Sequence, residues 1–116
     1  MYRFEKFRVY HEAMELIETI YSLSSKLPKD ERFGLTDQLK RSSTSIVLNI
    51  AEGTGGLGDK EFKSFLRNAL KSFYETVAGL KIAEKLFALN IEKPLLQCEV
   101  VGRQLNALIK TIKNSS

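Results

Sequence analysis

The sequence predicts an all-α protein, an antiparallel up-down four-helix bundle that forms a single domain over residues 1–116. Apolar residues recur at three- and four-residue steps through four long stretches, and no segment alternates with period two. Both prolines and most of the seven glycines fall between these stretches. The connections are short, which favours antiparallel neighbours. With 43% hydrophobic and 28% charged residues, the composition is typical of one soluble globular domain.

Proline and glycine bound the first two predicted helices. The first runs from about Phe7 to Lys26, because Leu27 precedes Pro28 and a residue before proline avoids helical dihedrals. The second opens at Gly34 and reaches Gly53, where a glycine-rich turn follows. The residues predicted to face the core are Tyr10, Ala13, Met14, Ile17, Ile20 and Tyr21 in the first helix, and Leu35, Leu39, Ile46 and Ile50 in the second.

The third predicted helix is the longest, from about Asp59 to Leu89, and would span roughly 45 Å. Asn90 is predicted to stop this helix, and Pro94 suits the first turn of a fourth helix. The predicted buried residues are Phe62, Leu66, Ala69, Phe73, Thr76, Leu80 and Phe87 in the third helix, and Cys98, Val101, Leu105, Leu108 and Ile112 in the fourth.

Charge and cysteine content limit the partners and the compartment. The net charge of +4 favours an anionic partner, either nucleic acid or a lipid surface. Cys98 is the only cysteine, so an intramolecular disulfide and a thiolate metal cluster are excluded, which fits a reducing compartment. The N-terminus carries charge where a signal peptide is apolar, and no stretch approaches the roughly 18 apolar residues of a membrane span. These features predict a cytoplasmic protein without a membrane partner.

Few residues are available for catalysis or metal binding. The sequence has one histidine, His11, and one cysteine, so a nucleophile with a positioned base would have to recruit His11 from the second turn of the first helix. Glu15 and Glu18 have helical i,i+3 spacing, but no Glu-x-x-His pair occurs. The turn over residues 53–58 lacks the Gly-Lys-Ser/Thr ending of a phosphate-binding loop. The sequence therefore predicts a protein that is not an enzyme and has no cofactor or metal.

The third helix carries its basic residues on one side. With Leu66 as zero and about 100° per residue, they lie between about 60° and 140°. Such clustering fits either the solvated face of an amphipathic helix or a surface for nucleic acid, where regular charges meet the phosphate backbone without reading bases. This predicted nucleic-acid surface, the basic strip, consists of Lys60, Lys63, Arg67, Lys71, Lys81 and Lys85, with Tyr74 among them.

Apolar residues cover more of the second helix's circumference than a single core-facing side requires. If Ile46 and Ile50 face the core, then Val47 and Leu48 point roughly 100° and 160° away from it, which predicts that both lie at an oligomer interface. A stripe of small polar residues runs beside them and predicts hydrogen bonds between helices or subunits in preference to ligand contacts. Its members are Gln38, Ser42, Ser45, Asn49 and Glu52.

These residues also carry a family resemblance. Phe33-Gly34-Leu35-Thr36-x-Gln38-Leu39-x-Arg41 is followed by Ser45-Ile46-x-x-Asn49-Ile50-Ala51-Glu52-Gly53, and downstream come Lys60-Glu61-Phe62, Phe65-Leu66, Ala69, Ser72, Glu75 and Ile82-Ala83. The pattern resembles the 23S rRNA intervening-sequence proteins. The resemblance implies a four-helix bundle that assembles into a ring, commonly a pentamer. It also implies similarity to the accessory protein of diversity-generating retroelements, which engages RNA and reverse transcriptase.

The resemblance assigns a polar signature, most simply structural, to Arg41, Asn49, Glu52 and Glu75. The chain departs from the family pattern after this signature, where Thr54, Gly55, Gly56 and Leu57 replace residues that are often basic or aromatic. Lys71 stands at a common glycine position and strengthens the basic strip.

Two hypotheses remain open. In the first, a homo-oligomer binds RNA or DNA through the basic strip, so its affinity falls when Lys63, Arg67 and Lys71 become glutamate. In the second, the chain is a structural or protein-interaction module that binds no nucleic acid, and its basic residues only confer solubility.

Overall fold

The computed structural model describes residues 1–56 and 58–112. Four α-helices fill this part of the chain, with two short 3-10 helices at Arg3–Lys6 and Lys29–Glu31 and no strand among the described residues. The α-helices are α1 (Arg8–Ser24), α2 (Leu35–Thr54), α3 (Asp59–Phe87) and α4 (Glu92–Thr111). The predicted all-α class and the four predicted helices are confirmed. Leu57, one of the residues that depart from the family pattern, lies outside the described residues.

The helices form a four-cornered bundle. α2 packs against α1 and α3, and α4 packs against the same two helices from the other side, so that α1 and α3 stand at diagonal corners of the described chain. Contacts between α2 and α3 pair Gln38 with Glu75 and Ser45 with Ser72, so residue numbers rise in opposite directions. These two helices are therefore antiparallel. None of the described helices is long and apolar enough to cross a membrane.

Backbone geometry fixes where α3 begins and where it ends. Gly58, just before the helix, has φ of 151°, a value that side chains strongly disfavour. Ala88, just after it, is left-handed with φ of 53°, and its N–H donates to Glu84 O. Asn90 then accepts a hydrogen bond from the N–H of Glu92 at 3.0 Å, which satisfies one of the free donors at the start of α4. Ala88 therefore ends α3, two residues before the stop predicted at Asn90, and Asn90 serves only the start of α4.

The residues predicted to face the core in α2, α3 and α4 are buried or half-buried, but the set predicted for α1 was partly wrong. Met14 and Tyr21 are 41% and 45% exposed, whereas Val9, Leu16 and Leu23 are buried instead. Apolar residues occupy two neighbouring sides of α1, so three- and four-residue spacing alone does not decide which side faces the core.

The prediction that Val47 lies on the outer face was also wrong. Val47 is only 9% exposed and belongs to the core, while Leu48 is 57% exposed. Lys40 lies two turns before Val47 on the same side of α2, and its Nζ is 4.7 Å from the ring centroid of Tyr21 on α1. That side of α2 therefore faces α1. Because α1 and α3 pack on two different sides of α2, its buried surface is wider than a single stripe.

Two glycines allow side chains to press against helix backbone. A Cβ at Gly102 of α4 would lie 2.5 Å from the Phe73 ring, and one at Gly79 of α3 would lie 2.7 Å from Leu39. Both distances are too short for real carbon contacts. These positions hold α4 close to α3 and α3 close to α2.

Candidate nucleic-acid interface

The basic strip lies on the outer side of α3, which runs without interruption for 29 residues. A continuous helix keeps side chains three and four positions apart on one side. Six of the seven strip residues are exposed, namely Lys60, Arg67, Lys71, Tyr74, Lys81 and Lys85, and Lys63 is half-buried.

The exposed cations of the strip have no partner among the residues that the structure describes. Lys60, Arg67, Lys71, Lys81 and Lys85 make no hydrogen bond or ion pair with any residue that the structure describes. Lys63 differs, since it is engaged within the chain. The five exposed cations could therefore contact an anionic ligand without first breaking an internal interaction.

The aromatic ring of Tyr74 lies in the middle of the strip and is restrained by a buried neighbour. Tyr74 is 58% exposed, and its ring centroid lies 5.1 Å from that of Phe73, with 63° between the ring planes. Phe73 is only 8% exposed and presses against Gly102 of α4. The buried neighbour therefore limits how the Tyr74 ring can move, while much of that ring stays open to solvent.

On the side of α3 that faces α2, away from the strip, a polar seam joins the two helices. The hydroxyls of Ser45 and Ser72 are 2.8 Å apart, and Thr76 Oγ1 donates to Ser42 Oγ at 2.9 Å. These short side chains let two helices approach closely while their buried oxygens remain hydrogen-bonded. The seam is consistent with the structural role expected for the polar stripe.

The signature residues take different positions around this seam. Glu75 accepts a hydrogen bond from Gln38 Nε2 at 3.1 Å and so links α3 to α2. Asn49 donates only within α2, to the carbonyl and the hydroxyl of Ser45 at 2.9 and 3.0 Å. Arg41 lies 3.8 Å from Asp37 one turn earlier, and both are partly exposed. Exposed Glu52 makes no side-chain hydrogen bond with the described residues.

Sequence reasoning did not predict a groove that opens above the seam. It has a volume of about 360 Å³, and its lining is mostly polar. Two carboxylates face one guanidinium there, and that guanidinium already pairs with Asp37. The groove therefore presents no surplus of positive charge to an anion. Its lining residues are Asp37, Gln38, Arg41, Ser42, Ser45, Ser72 and Glu75.

Comparison with known proteins identifies the family. The sequence matches the 23S rRNA-intervening sequence protein family over residues 5–107. The chain belongs to this family. A solved protein of unknown function from the S23 ribosomal protein family of Bacteroides thetaiotaomicron has the same fold, with a TM-score of 0.78 and 25% identity. The alignment covers 89% of this chain and 99% of that one. No curated protein matches significantly.

Membership of the 23S rRNA-intervening sequence protein family does not assign a reaction. Neither the family description nor that of the solved protein indicates an enzyme. The similarity to the accessory protein of diversity-generating retroelements stays a prediction.

The reactive side chains of this family member are placed for structure. His11 Nε2 lies 2.6 Å from the carbonyl oxygen of Glu5, which can only accept, so this nitrogen carries the proton. Cys98 is 1% exposed, and burial raises the pKa of its thiol to about 12, so it is not poised to act as a thiolate nucleophile. Among the described residues, no group of three or more His, Cys, Asp or Glu side chains could hold a metal ion.

Proposed function

We propose that this protein is a non-enzymatic, cytoplasmic homo-oligomer that binds RNA or other nucleic acid through the basic strip. The observation that supports this proposal most strongly is the set of five exposed strip cations that have no partner within residues 1–56 and 58–112. When such cations neutralise phosphates, they release condensed counterions, and this release drives binding that is largely independent of sequence.

The length of the strip sets the size of the contact. Lys60 and Lys85 are separated by roughly 38 Å along the helix axis. Lysine and arginine in a row along a helix contact phosphates, which position a ligand but carry no sequence information. We therefore expect weak sequence preference and a strong dependence on salt.

The decisive variant changes three exposed strip residues, Arg67, Lys71 and Lys81, to glutamate. Lys63 is left intact because it is half-buried and engaged within the chain, so its substitution would also affect folding. Binding of a fluorescent RNA should collapse, because repulsion replaces attraction along the strip.

The matched control changes three exposed lysines elsewhere, Lys26, Lys29 and Lys93, to glutamate. Each substitution changes the formal charge by two, so both variants go from +4 to −2. The control should therefore keep most of its affinity. Equal losses in the two variants would show that net charge alone drives binding and would contradict an interface at the strip.

Salt titration provides a second measurement. The slope of log affinity against log salt changes by about 0.7 to 0.9 for each phosphate contact. We expect the single substitution Lys71→Gln to reduce the magnitude of this slope by about 0.7 to 0.9, the value of one phosphate contact. An unchanged slope would mean that Lys71 contacts no phosphate.

Self-association is the second part of the proposal. Leu48 is 57% exposed on the outer side of α2, where a lone bundle would leave a large apolar side chain in water. A second copy that covers Leu48 would account for this exposure. The number of subunits proposed, five, rests on the family resemblance described above.

The alternative function is that of a protein-interaction module. Near the end of α3, Ile82 and Leu86 are 46% and 65% exposed, and Phe33 before α2 is 85% exposed. Exposed apolar side chains of this kind can mark a surface for another protein. This alternative predicts a protein partner that stays bound after nuclease treatment and is lost in a Leu86→Asp variant.

A further inference from the structure

We infer, on the basis of the proposed function, that the nucleic acid bound by α3 is single-stranded and that one of its bases stacks on Tyr74. Tyr74 is the aromatic member of the basic strip, and it is 58% exposed. Proteins that hold single strands combine a cationic track for the backbone with aromatic rings on which bases stack. Both elements occur together on the outer side of this helix.

The positions of the neighbouring cations fit this arrangement. Along the helix axis, Tyr74 lies about 4.5 Å from Lys71 and roughly 10 Å from both Arg67 and Lys81. Cations therefore stand on either side of the ring along the strip. A strand could place phosphates on these side chains while one base turns towards the ring between them.

The surroundings of Tyr74 leave room for a base. Its apolar neighbours Leu70 and Val77 pack against the core, and Ala78, one turn later, is small. Among the described residues, Tyr74 has one ring contact, with Phe73, and no cation over its face. The Tyr74 ring is thus restrained by Phe73, while more than half of the residue is exposed to solvent.

The chain contains a useful contrast in Tyr21. Tyr21 is also exposed, at 45%, but it lies on α1, diagonal to α3. Its ring already has the ammonium group of Lys40 at 4.7 Å. Both tyrosines are exposed, so exposure does not distinguish Tyr74 from Tyr21. The difference is that Tyr74 lies between the exposed strip cations Lys71 and Lys81, which have no partner among the described residues.

A duplex would not use Tyr74 in the same way. Paired bases are stacked on one another and show only their edges in the grooves, so a surface ring cannot lie on a base face unless the base is unpaired. The basic strip alone would accept either form, whereas stacking on Tyr74 selects the single strand.

The sequence contains no tryptophan, so a substituted one is a unique fluorescent reporter. We would titrate the Tyr74→Trp variant with a short unstructured RNA, and separately with the duplex of that RNA and its complement. We expect quenching of the variant's emission by the single strand and little by the duplex. Tyr21→Trp is the control, and its emission should not change.

Affinity measurements complete the test. Tyr74→Ala should weaken single-strand binding roughly five- to hundredfold and leave duplex binding unchanged, whereas Tyr74→Phe should bind like the original protein. Circular dichroism would establish that each variant is folded.

The failure of this inference can be told apart from that of the proposed function. Equal affinity for single strand and duplex, with no quenching, would overturn the role of Tyr74. The proposed function would still stand if the Arg67, Lys71 and Lys81 variant lost binding. If that variant bound normally, or if the original protein bound neither RNA, both would be wrong.

Discussion

Thr76 of α3 donates a hydrogen bond to Ser42 of α2 across 2.9 Å, and both side chains are buried. The same Thr76 hydroxyl also lies 3.0 Å from the carbonyl oxygen of Ser72. This pair lies inside the polar seam, where Thr76 is fully buried and Ser42 is only 3% exposed. Its contribution to stability can therefore be measured directly.

We expect Thr76→Val to lower the free energy of unfolding by about 1 to 2 kcal/mol, because the shape is nearly kept but Ser42 loses the hydroxyl that donates to it and keeps only its own bond to Leu39 O. Urea denaturation measures this loss. In a double-mutant cycle with Ser42→Ala, the two effects should be less than additive. Strict additivity would show that the hydrogen bond contributes nothing.

The contact between Gly102 and Phe73 leads to a second prediction. Gly102→Ala would add a Cβ 2.5 Å from the Phe73 ring and should destabilise the protein by about 1 to 3 kcal/mol, despite the better helix propensity of alanine. Thermal unfolding would show a lower Tm. Gly55→Ala is the control, since the nearest atom there would be 3.6 Å away. A Gly102→Ala protein as stable as the original would contradict this packing.

Burial of Cys98 predicts a dependence of stability on alkaline pH. Burial raises the pKa of the Cys98 thiol from 9.0 to about 12, so the folded state keeps the proton that the unfolded state loses above pH 9.0. Its contribution to stability is fully present below pH 9.0 and is lost as pH rises towards 12. Stability should fall by up to about 1.4 kcal/mol per pH unit in this window.

The Cys98→Ala variant separates this effect from the titration of lysine and tyrosine. We expect its unfolding free energy, measured by urea denaturation between pH 8 and 11, to fall less steeply than that of the original protein. Parallel slopes would show that the Cys98 thiol does not stay protonated in the fold.

Leu48 and Val47 are neighbours with opposite environments, so they form a matched pair. Leu48→Asp should lower the number of subunits and leave the helix content intact, because this side chain points outward. Val47→Asp should unfold the chain, because it places a carboxylate in the core. Light scattering and circular dichroism measure the two effects. A Leu48→Asp protein with an unchanged number of subunits would exclude Leu48 from the interface.

Much of the fold could be predicted from the sequence because α3 and α4 carry one apolar stripe each. The buried side of these two helices follows directly from spacing at Leu66 and Val101, whereas in α2 spacing located Leu39 but not the buried Val47. In α1, by contrast, Met14 and Leu16 are both apolar on different sides, and only packing against α2 and α4 decides between them.

The candidate site was only partly predictable for a related reason. Helical periodicity located the exposed cations of α3, because a single helix determines which side they share. It could not show that Lys63 is engaged within the chain or that Glu75 bonds to Gln38, since both depend on surroundings in three dimensions. The groove is formed jointly by α2 and α3, so the pattern of a single helix could not predict it.

The unbroken length of α3 has a mechanical consequence. A helix of 29 residues cannot stretch or shorten without breaking backbone hydrogen bonds, so the distances between Lys60, Arg67 and Lys85 are fixed along its axis. A flexible polymer bound along the basic strip must therefore adapt its conformation to the constant spacing of these positions. The backbone of α3 then loses little entropy on association, and the loss falls on the bound polymer and on the long side chains of the strip.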